Sequence, residues 1–195
     1  MGITVYSISE GLNVNDIWYE IIQIRSENQE PMERIRTCAS MIDACLHSKS
    51  SKKEKRELTN RLVQISSELG DFRRSADTIS EDARSFVNQI GQWRRDDTLR
   101  TPRDRKKELI HEHLVPCAYL SKTIVSSHFN TGETFKLLLE YGIRCIVLKS
   151  EDTKINNAKL NKTMPEDWQI GHNPFIRYQL AGISRFTIKE KYIYP

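Results

Sequence analysis

The chain has 195 residues, 38% of them hydrophobic, with a formal net charge of +4 and a pI near 8.8. That length supports one ample core, or a helical unit joined to a smaller mixed domain. No apolar run approaches the ~20 residues that span a bilayer, and the start Met1-Gly2-Ile3-Thr4-Val5-Tyr6 lacks the basic beginning and apolar stretch of a secretory signal. The expectation is a cytoplasmic protein with no membrane contact.

Ile3–Val5 with Tyr6–Ile8 reads as a short strand. A long helical region follows. Asn15 is placed to cap a helix carrying Ile17, Ile21 and Ile24 on one face, with Trp18 beside them. Pro31 suits a first helical position, ahead of a stripe of Ile35, Cys38, Ile42 and Leu46. Ser51-Lys52-Lys53-Glu54 is a capping box before Leu58, Leu62, Ile65 and Leu69, and Gly70 ends that helix. Ser80 is expected to cap a fourth helix with Ala83, Phe86, Val87, Ile90 and Trp93 on its apolar side. Short connections between these helices suggest an antiparallel bundle over residues 1–93.

Arg94 to Lys107 interrupts this pattern. Pro102 and a dense run of charge mark a linker or exposed arm over 94–107, and the domain boundary is placed there. Seven positive residues (Arg94, Arg95, Arg100, Arg103, Arg105, Lys106 and Lys107) face only Asp96, Asp97 and Asp104. A second run, Lys49 to Arg56, carries five positive charges against Glu54. Such runs serve as solvated surface or as contacts to a nucleic-acid backbone.

The remaining residues, 108–195, alternate between strand and helix signals. Leu109 to Val115 reads as a strand, 117–127 as a short helix, and Glu133 to Tyr141 as a helix closed by Gly142. Ile143 to Leu148 is an apolar strand. Ser150 is expected to cap a helix from Glu151 to about Asn161, stopped by Met164-Pro165. Asn173-Pro174 opens another short helix ending at Ala181-Gly182, and Ile183 to Ile188 reads as a last strand. The fold class expected is α+β, predominantly helical: a helical bundle followed by a small mixed domain.

The densest chemistry lies at Ile110-His111-Glu112-His113-Leu114-Val115-Pro116. Two of the chain's five histidines flank a carboxylate there. Histidine is the side chain best matched to proton transfer near neutral pH and is a common metal ligand. In a strand, His111 and His113 point to one face and Glu112 to the other. Asparagines are dense in the helix after the apolar strand, where Asn157 and Asn161 are four apart and share a face. Asparagine is a poor helix-interior residue, so the cluster marks either an exposed, fraying helix or metal ligation or substrate contact.

Glu112-His113 followed by Pro116, a later Asn130, the strand to Leu148 and the polar helix together resemble the HNH, or ββα-metal finger, endonucleases over residues 110–161. The resemblance implies His113 as the general base and Asn130 as the residue orienting it. Asn157 or Asn161 would be the helix ligand to a divalent ion (Mg, Mn or Zn), and Glu112 or His111 the ligand beside the base. The function implied is metal-dependent hydrolysis of phosphodiester bonds in DNA or RNA.

Other readings of the same residues stay open. His111, His113, Cys117 and Cys145 have the ligand types of a structural zinc site. The other two thiols are Cys38 and Cys45; no C-x-x-C pair occurs, and reduced, mostly buried cysteines are expected. In the C-terminal stretch, Trp168, His172, Arg177 and Tyr178 either pack over the core or line a cleft, with Arg177 suited to a phosphate. Nothing resembles a P-loop, a dinucleotide fingerprint or a G-x-S-x-G elbow. The alternatives to a nuclease are a non-enzymatic interaction module, its helices docking a protein partner, and a nucleic-acid-binding accessory protein.

Overall fold

The computed structural model describes residues 14–68, 76–89 and 108–188. The element order is α1 (Val14–Ser26), α2 (Gln29–His47), α3 (Lys52–Ser66), β1 (Thr78–Ser80), α4 (Glu81–Gln89), β2 (Leu109–His113), α5 (Cys117–Ser127), α6 (Thr131–Tyr141), β3 (Arg144–Leu148), α7 (Lys149–Asn157), α8 (Ile176–Leu180) and β4 (Phe186–Ile188). The class is predominantly helical α+β. The expected strand at Ile3–Ile8 and the basic arm 94–107 lie outside the described residues.

Each early helix forms because its apolar residues recur at helical spacing. Helix α1 buries Val14, Ile17, Trp18 and Ile21, and the same stripe continues to Arg25. Helix α2 buries Ile35, Cys38, Ala39, Ile42 and Cys45. The capping box at Ser51 and Glu54 is formed, with both reciprocal bonds present. The apolar stripe of α3 is rotated from the one expected. Leu58 is 48% exposed, while Thr59, Leu62, Val63 and Ser66 are buried. Helix α3 packs between α2 and α5, and small polar side chains at Thr59 and Ser66 suit close approach to two neighbours.

The helices do not close on one another alone. Helix α2 packs on α6 and α3 packs on α5, so one hydrophobic core runs from Val14 to Phe186 across the expected boundary at 94–107. Helix α1 also serves α6 directly. Trp18 Nε1 donates to Glu140 O at 2.8 Å, and Arg25 Nη1 donates to Leu138 O and Leu139 O at 3.1 and 2.7 Å. Those carbonyls belong to the last turn of α6, where the helix leaves acceptors unfilled and its dipole attracts cations. Gly142 follows with φ −73°, so it is not there for a left-handed turn. A Cβ at that position would stand 2.6 Å from Leu138 O.

The sheet has the order β2-β3-β1-β4. Strand β3 pairs antiparallel with β2 and parallel with β1, and β1 pairs antiparallel with β4. Strand β1 was not expected from sequence; it brings the first half of the chain into the centre of the sheet. Alternation gives the sheet two faces. Ile110, Glu112, Cys145 and Val147 share one, where Ile110, Cys145 and Val147 join the main core. Leu109, His111, His113, Arg144, Ile146 and Leu148 share the other, where Leu109, Ile146 and Leu148 pack with Ala76, Ile79 and Ala83. Helix α7 belongs to the first face: Ile155 enters the main core, and Glu151 Oε2 accepts from Ser80 Oγ at 2.6 Å and Leu148 N at 2.8 Å. Helix α4 sits on the second face through Ala83, and Ser80 Oγ caps it by accepting from Ala83 N at 3.2 Å.

Candidate functional site

The two faces divide the His-Glu-His strand. On the core face, Glu112 Oε2 receives Arg177 Nη2 at 2.7 Å. Arg177 is fully buried and forms an internal clasp, in line with the core-packing reading of its stretch and not with the phosphate contact also considered for it. Its Nε donates to Leu114 O at 2.9 Å, Nη1 to Leu160 O at 2.7 Å, and Nη2 also to His113 O. The guanidinium lies 4.9 Å from the Tyr178 ring centroid. Desolvation raises the Glu112 carboxyl above the ordinary range, with Arg177 opposing. Trp168 and Tyr178 are buried, as the core-packing reading of that stretch requires, and His172 is exposed.

On the opposite face, His113 Nε2 lies 2.8 Å from Ser67 Oγ. Ser67 follows the last turn of α3 and is 1% exposed. Its Oγ also donates to Gln64 O at 2.7 Å. A hydroxyl has one hydrogen, so Nε2–H is the donor toward Ser67 and the lone pair of the neutral ring sits on Nδ1. The imidazole is pushed down to about 3, by desolvation first and then by the nearby cations of Arg144, Arg177 and Arg25. Ser67 does for His113 the orienting that the resemblance assigned to Asn130.

Arg144 stands opposite His113 in the register of β2 and β3. Arg25 is 1% exposed and reaches Asp77, whose Oδ1 is 3.6 Å from Nε. Asp77 is in turn fixed to β3, with Oδ2 accepting from Arg144 N at 2.8 Å and its own N donating to Arg144 O at 2.9 Å. Burial pulls both guanidinium groups below the usual arginine range. Asp77 opposes this at Arg25, and Glu68, Asp77 and Cys117 oppose it at Arg144. Among the described residues, Asp77 is the one carboxylate within ion-pair distance of either group.

The remaining residues named from sequence do not converge here. Asn130 is the N-cap of α6: its Oδ1 accepts from Glu133 N at 3.0 Å and Glu133 Oε2 accepts from Asn130 N at 2.9 Å. Helix α7 ends at Asn157, not near Asn161. Lys159 takes φ 60°, a left-handed conformation that stops the helix. Asn157 and Asn161 are therefore not on one helical face, and both are exposed. Ser150 lies inside α7 and does not cap it.

A divalent ion is implied by the endonuclease resemblance, and the donor set can be tested against it. Glu112 and α7 lie on one face of the sheet, His111 and His113 on the other. The Glu112 carboxylate is engaged by Arg177 and Asn130 is engaged as a cap. These residues do not fit a single ion, and among the described residues no three His, Cys, Asp or Glu side chains are grouped to hold one. The zinc reading meets the same geometry: Cys145 is on the face away from His111 and His113. Burial raises Cys117 to about 12 and Cys145 well above the usual thiol value, so both stay protonated.

Sequence reasoning missed Ser67, Arg25, Asp77 and Arg144. Two of them had a signal. Arg25 continues the Ile17/Ile21 stripe by one more turn, and Arg144 alternates in phase with Ile146 and Leu148. The basic arm residues Arg94, Arg95, Arg100, Arg103, Arg105, Lys106 and Lys107 lie outside the described residues. No helix among the described residues is long and apolar enough to cross a membrane. No family model matches the chain, and no curated protein or solved structure matches it.

Proposed function

We propose that the chain acts on nucleic acid as a phosphodiesterase, with His113 Nδ1 as the proton acceptor. One observation carries the reading. The Ser67 hydroxyl, its own hydrogen committed to Gln64 O, holds His113 in the tautomer that leaves Nδ1 unprotonated. A general base must be neutral and oriented, and this ring is both. In the proposed step, water attacks phosphorus and gives a proton to Nδ1. The bond from phosphorus to the leaving nucleoside oxygen breaks, and that oxygen takes a proton from solvent. Arg144 and Arg25 supply fixed positive charge for the extra negative charge that develops on the phosphoryl oxygens.

Burial first, and then the same cations, make His113 a weak base. A phosphate entering among them offsets their field, so basicity rises when substrate binds. The run Arg94 to Lys107 and the net charge of +4 favour nucleic acid over a small phosphate ester. The test is cleavage of labelled linear DNA and RNA by the parent and by His113→Gln. The variant is expected to lose about a hundredfold or more in rate, with its circular dichroism unchanged. A variant as active as the parent, or a parent that cleaves none of these substrates, defeats the assignment.

A further inference from the structure

We infer that the turn between α2 and α3 is a docking surface for the phosphate backbone of nucleic acid, with Lys49, Lys52, Lys53 and Arg56 as its contacts. The choice of nucleic acid over another polyanion rests on the phosphodiesterase reading. The surface itself uses neither His113 nor the arginines beside it.

The first observation is where the charge lies. Lys49 to Arg61 holds six basic residues against Glu54 and Glu57. Outside this stretch and the run Arg94 to Lys107, acidic residues outnumber basic ones. Positive charge is therefore gathered in this protein and not spread over it. Lys49, Lys52, Lys53 and Arg56 are all exposed, and they follow one another along the turn and the start of α3. Lys52 and Arg56 are four residues apart, about 6 Å along the helix axis. A strand of nucleic acid presents a phosphate every ~3.4 Å, so these side chains can reach neighbouring phosphates.

The second observation is that the cations are largely unmatched. The Glu54 carboxylate turns back to accept from Ser51 N and Ser51 Oγ at 2.8 and 2.7 Å. Lys55 Nζ is spent on Leu46 O at 2.6 Å and is not counted in the surface. Lys53 stands 4.0 Å from Glu57, an exposed pair that holds neither side chain firmly. The side chains of Lys49, Lys52 and Arg56 make no hydrogen bond or ion pair among the described residues.

The third observation is that this placement works against the helix. The dipole favours acids in the first turn and bases in the last. Helix α3 begins with Lys52, Lys53 and Lys55 and has no basic residue in its last turn. Lys52 and Arg56, four apart, also repel each other. Helix stability does not account for such a pattern, whereas a phosphate chain laid across the start of α3 is attracted by the side chains and by the dipole together. The far end of the same helix reaches the candidate base: Ser67 holds His113 Nε2 at 2.8 Å. At ~1.5 Å per residue, Lys52 and Ser67 are about 22 Å apart. A contact that far from the scissile bond binds ground state and transition state alike, so it should act on KM and not on kcat.

The experiment uses the full chain with three probes: labelled duplex DNA, single-stranded RNA of matched length, and heparin. Binding is followed by fluorescence anisotropy over a salt series, with His113→Gln in every chain so that no probe is cut. The patch variant combines Lys49→Gln, Lys52→Gln and Arg56→Gln. A control combines Lys149→Gln, Lys154→Gln and Lys162→Gln, which removes the same charge from exposed lysines elsewhere. Plotted as log affinity against log salt, the slope for duplex DNA should flatten by about 2–3 in the patch variant, at ~0.9 per phosphate contact, and by less than about one in the control. In chains that keep His113, the patch substitutions should raise KM about tenfold or more and leave kcat unchanged. The patch variant should melt no lower than the parent. An unchanged slope, an equal change in patch and control, or a patch variant that melts lower overturns the inference. So does binding of heparin with no binding of either nucleic acid at low salt, which would mark a surface for another polyanion. Patch-dependent binding with no cleavage by any chain would leave this inference standing and end the phosphodiesterase reading. Cleavage that depends on His113, with KM and salt slope untouched by the patch substitutions, would do the reverse.

Discussion

Replacing Arg177 with methionine isolates the clasp on the core face. Methionine fills much of the same hydrocarbon volume but provides no donor. The loss removes the 2.7 Å contact to Glu112, the bonds to Leu114 O and Leu160 O at 2.9 and 2.7 Å, and the bond to His113 O. Breaking a buried pair by removing one partner costs about 3–5 kcal/mol, because the surviving charge stays buried. For a chain of this size each kcal/mol moves the melting temperature by about 2–4 °C, so Arg177→Met should melt on the order of 10 °C below the parent near pH 7. The pH dependence follows from Glu112. Burial raises its folded-state value above the unfolded one of 4.5. Between those values the folded form holds the extra proton, so ionising Glu112 lowers stability as pH rises through that window. Without Arg177 the carboxylate loses its counter-charge and the window widens upward. The deficit of Arg177→Met should therefore be smallest near pH 4 and largest near neutrality. Glu112→Gln keeps an acceptor for Nη2 and should be milder. Thermal melts across that pH range measure all three. A deficit within a few degrees of zero, or one that does not vary with pH, refutes the account of Arg177 as the neutraliser of Glu112.

Two further outcomes separate structural from chemical roles. Asn130→Ala should cost about 1 kcal/mol through loss of the α6 cap and leave cleavage unchanged, with Asn130→Ser restoring stability; a loss of cleavage without a loss of stability would return Asn130 to an orienting role. His113 has a folded-state value of about 3 against 6.5 unfolded, so its contribution is present above pH 6.5 and is lost as pH falls toward 3, on the order of a few kcal/mol in all. His113→Gln should flatten that stretch of a urea-midpoint profile, and superimposable profiles would show that the neutral imidazole is not what acid attacks.

Much of the second half was legible because local signals agreed with one another. Strands β2 and β3 and helices α5 and α6 lie within a few residues of their expected bounds, since each has a clear apolar pattern, and α6 also has a capping box at its start and Gly142 at its end. Where the reading failed, the deciding partner was distant in sequence. The face that α3 buries depends on α2 and α5 at once, and one helix's periodicity cannot report two neighbours. Strand β1 has three residues, too few to show alternation, and exists because Thr78 and Ile79 pair with Cys145 and Ile146. The end of α7 rests on a left-handed Lys159, where no glycine announces the turn. The candidate site followed the same rule. Alternation correctly parted Glu112 from His111 and His113. That parting is also what prevents one ion from collecting them, because the other ligands assigned by resemblance are engaged elsewhere or exposed.

Two buried arginines and a half-buried one stand near the His-Glu-His strand, and they are compensated differently. Arg177, Arg25 and Arg144 are the same residue type, and desolvation works against the charge of each. Arg177 answers it completely, with a carboxylate, backbone carbonyls and a tyrosine. Such an arrangement has no capacity left for a ligand, and its role is to join β2, the segment after α7, and α8 around the core. Arg25 answers it with Asp77 and two helix-end carbonyls, and Arg144 with the more distant charges of Glu68 and Asp77. The neutral, oriented imidazole of His113 shares its face of the sheet with Arg144. In the proposed reading the positive field of Arg25 and Arg144 would stand beside the proton acceptor, while the clasp of Arg177 on Glu112 fixes the strand from its other face.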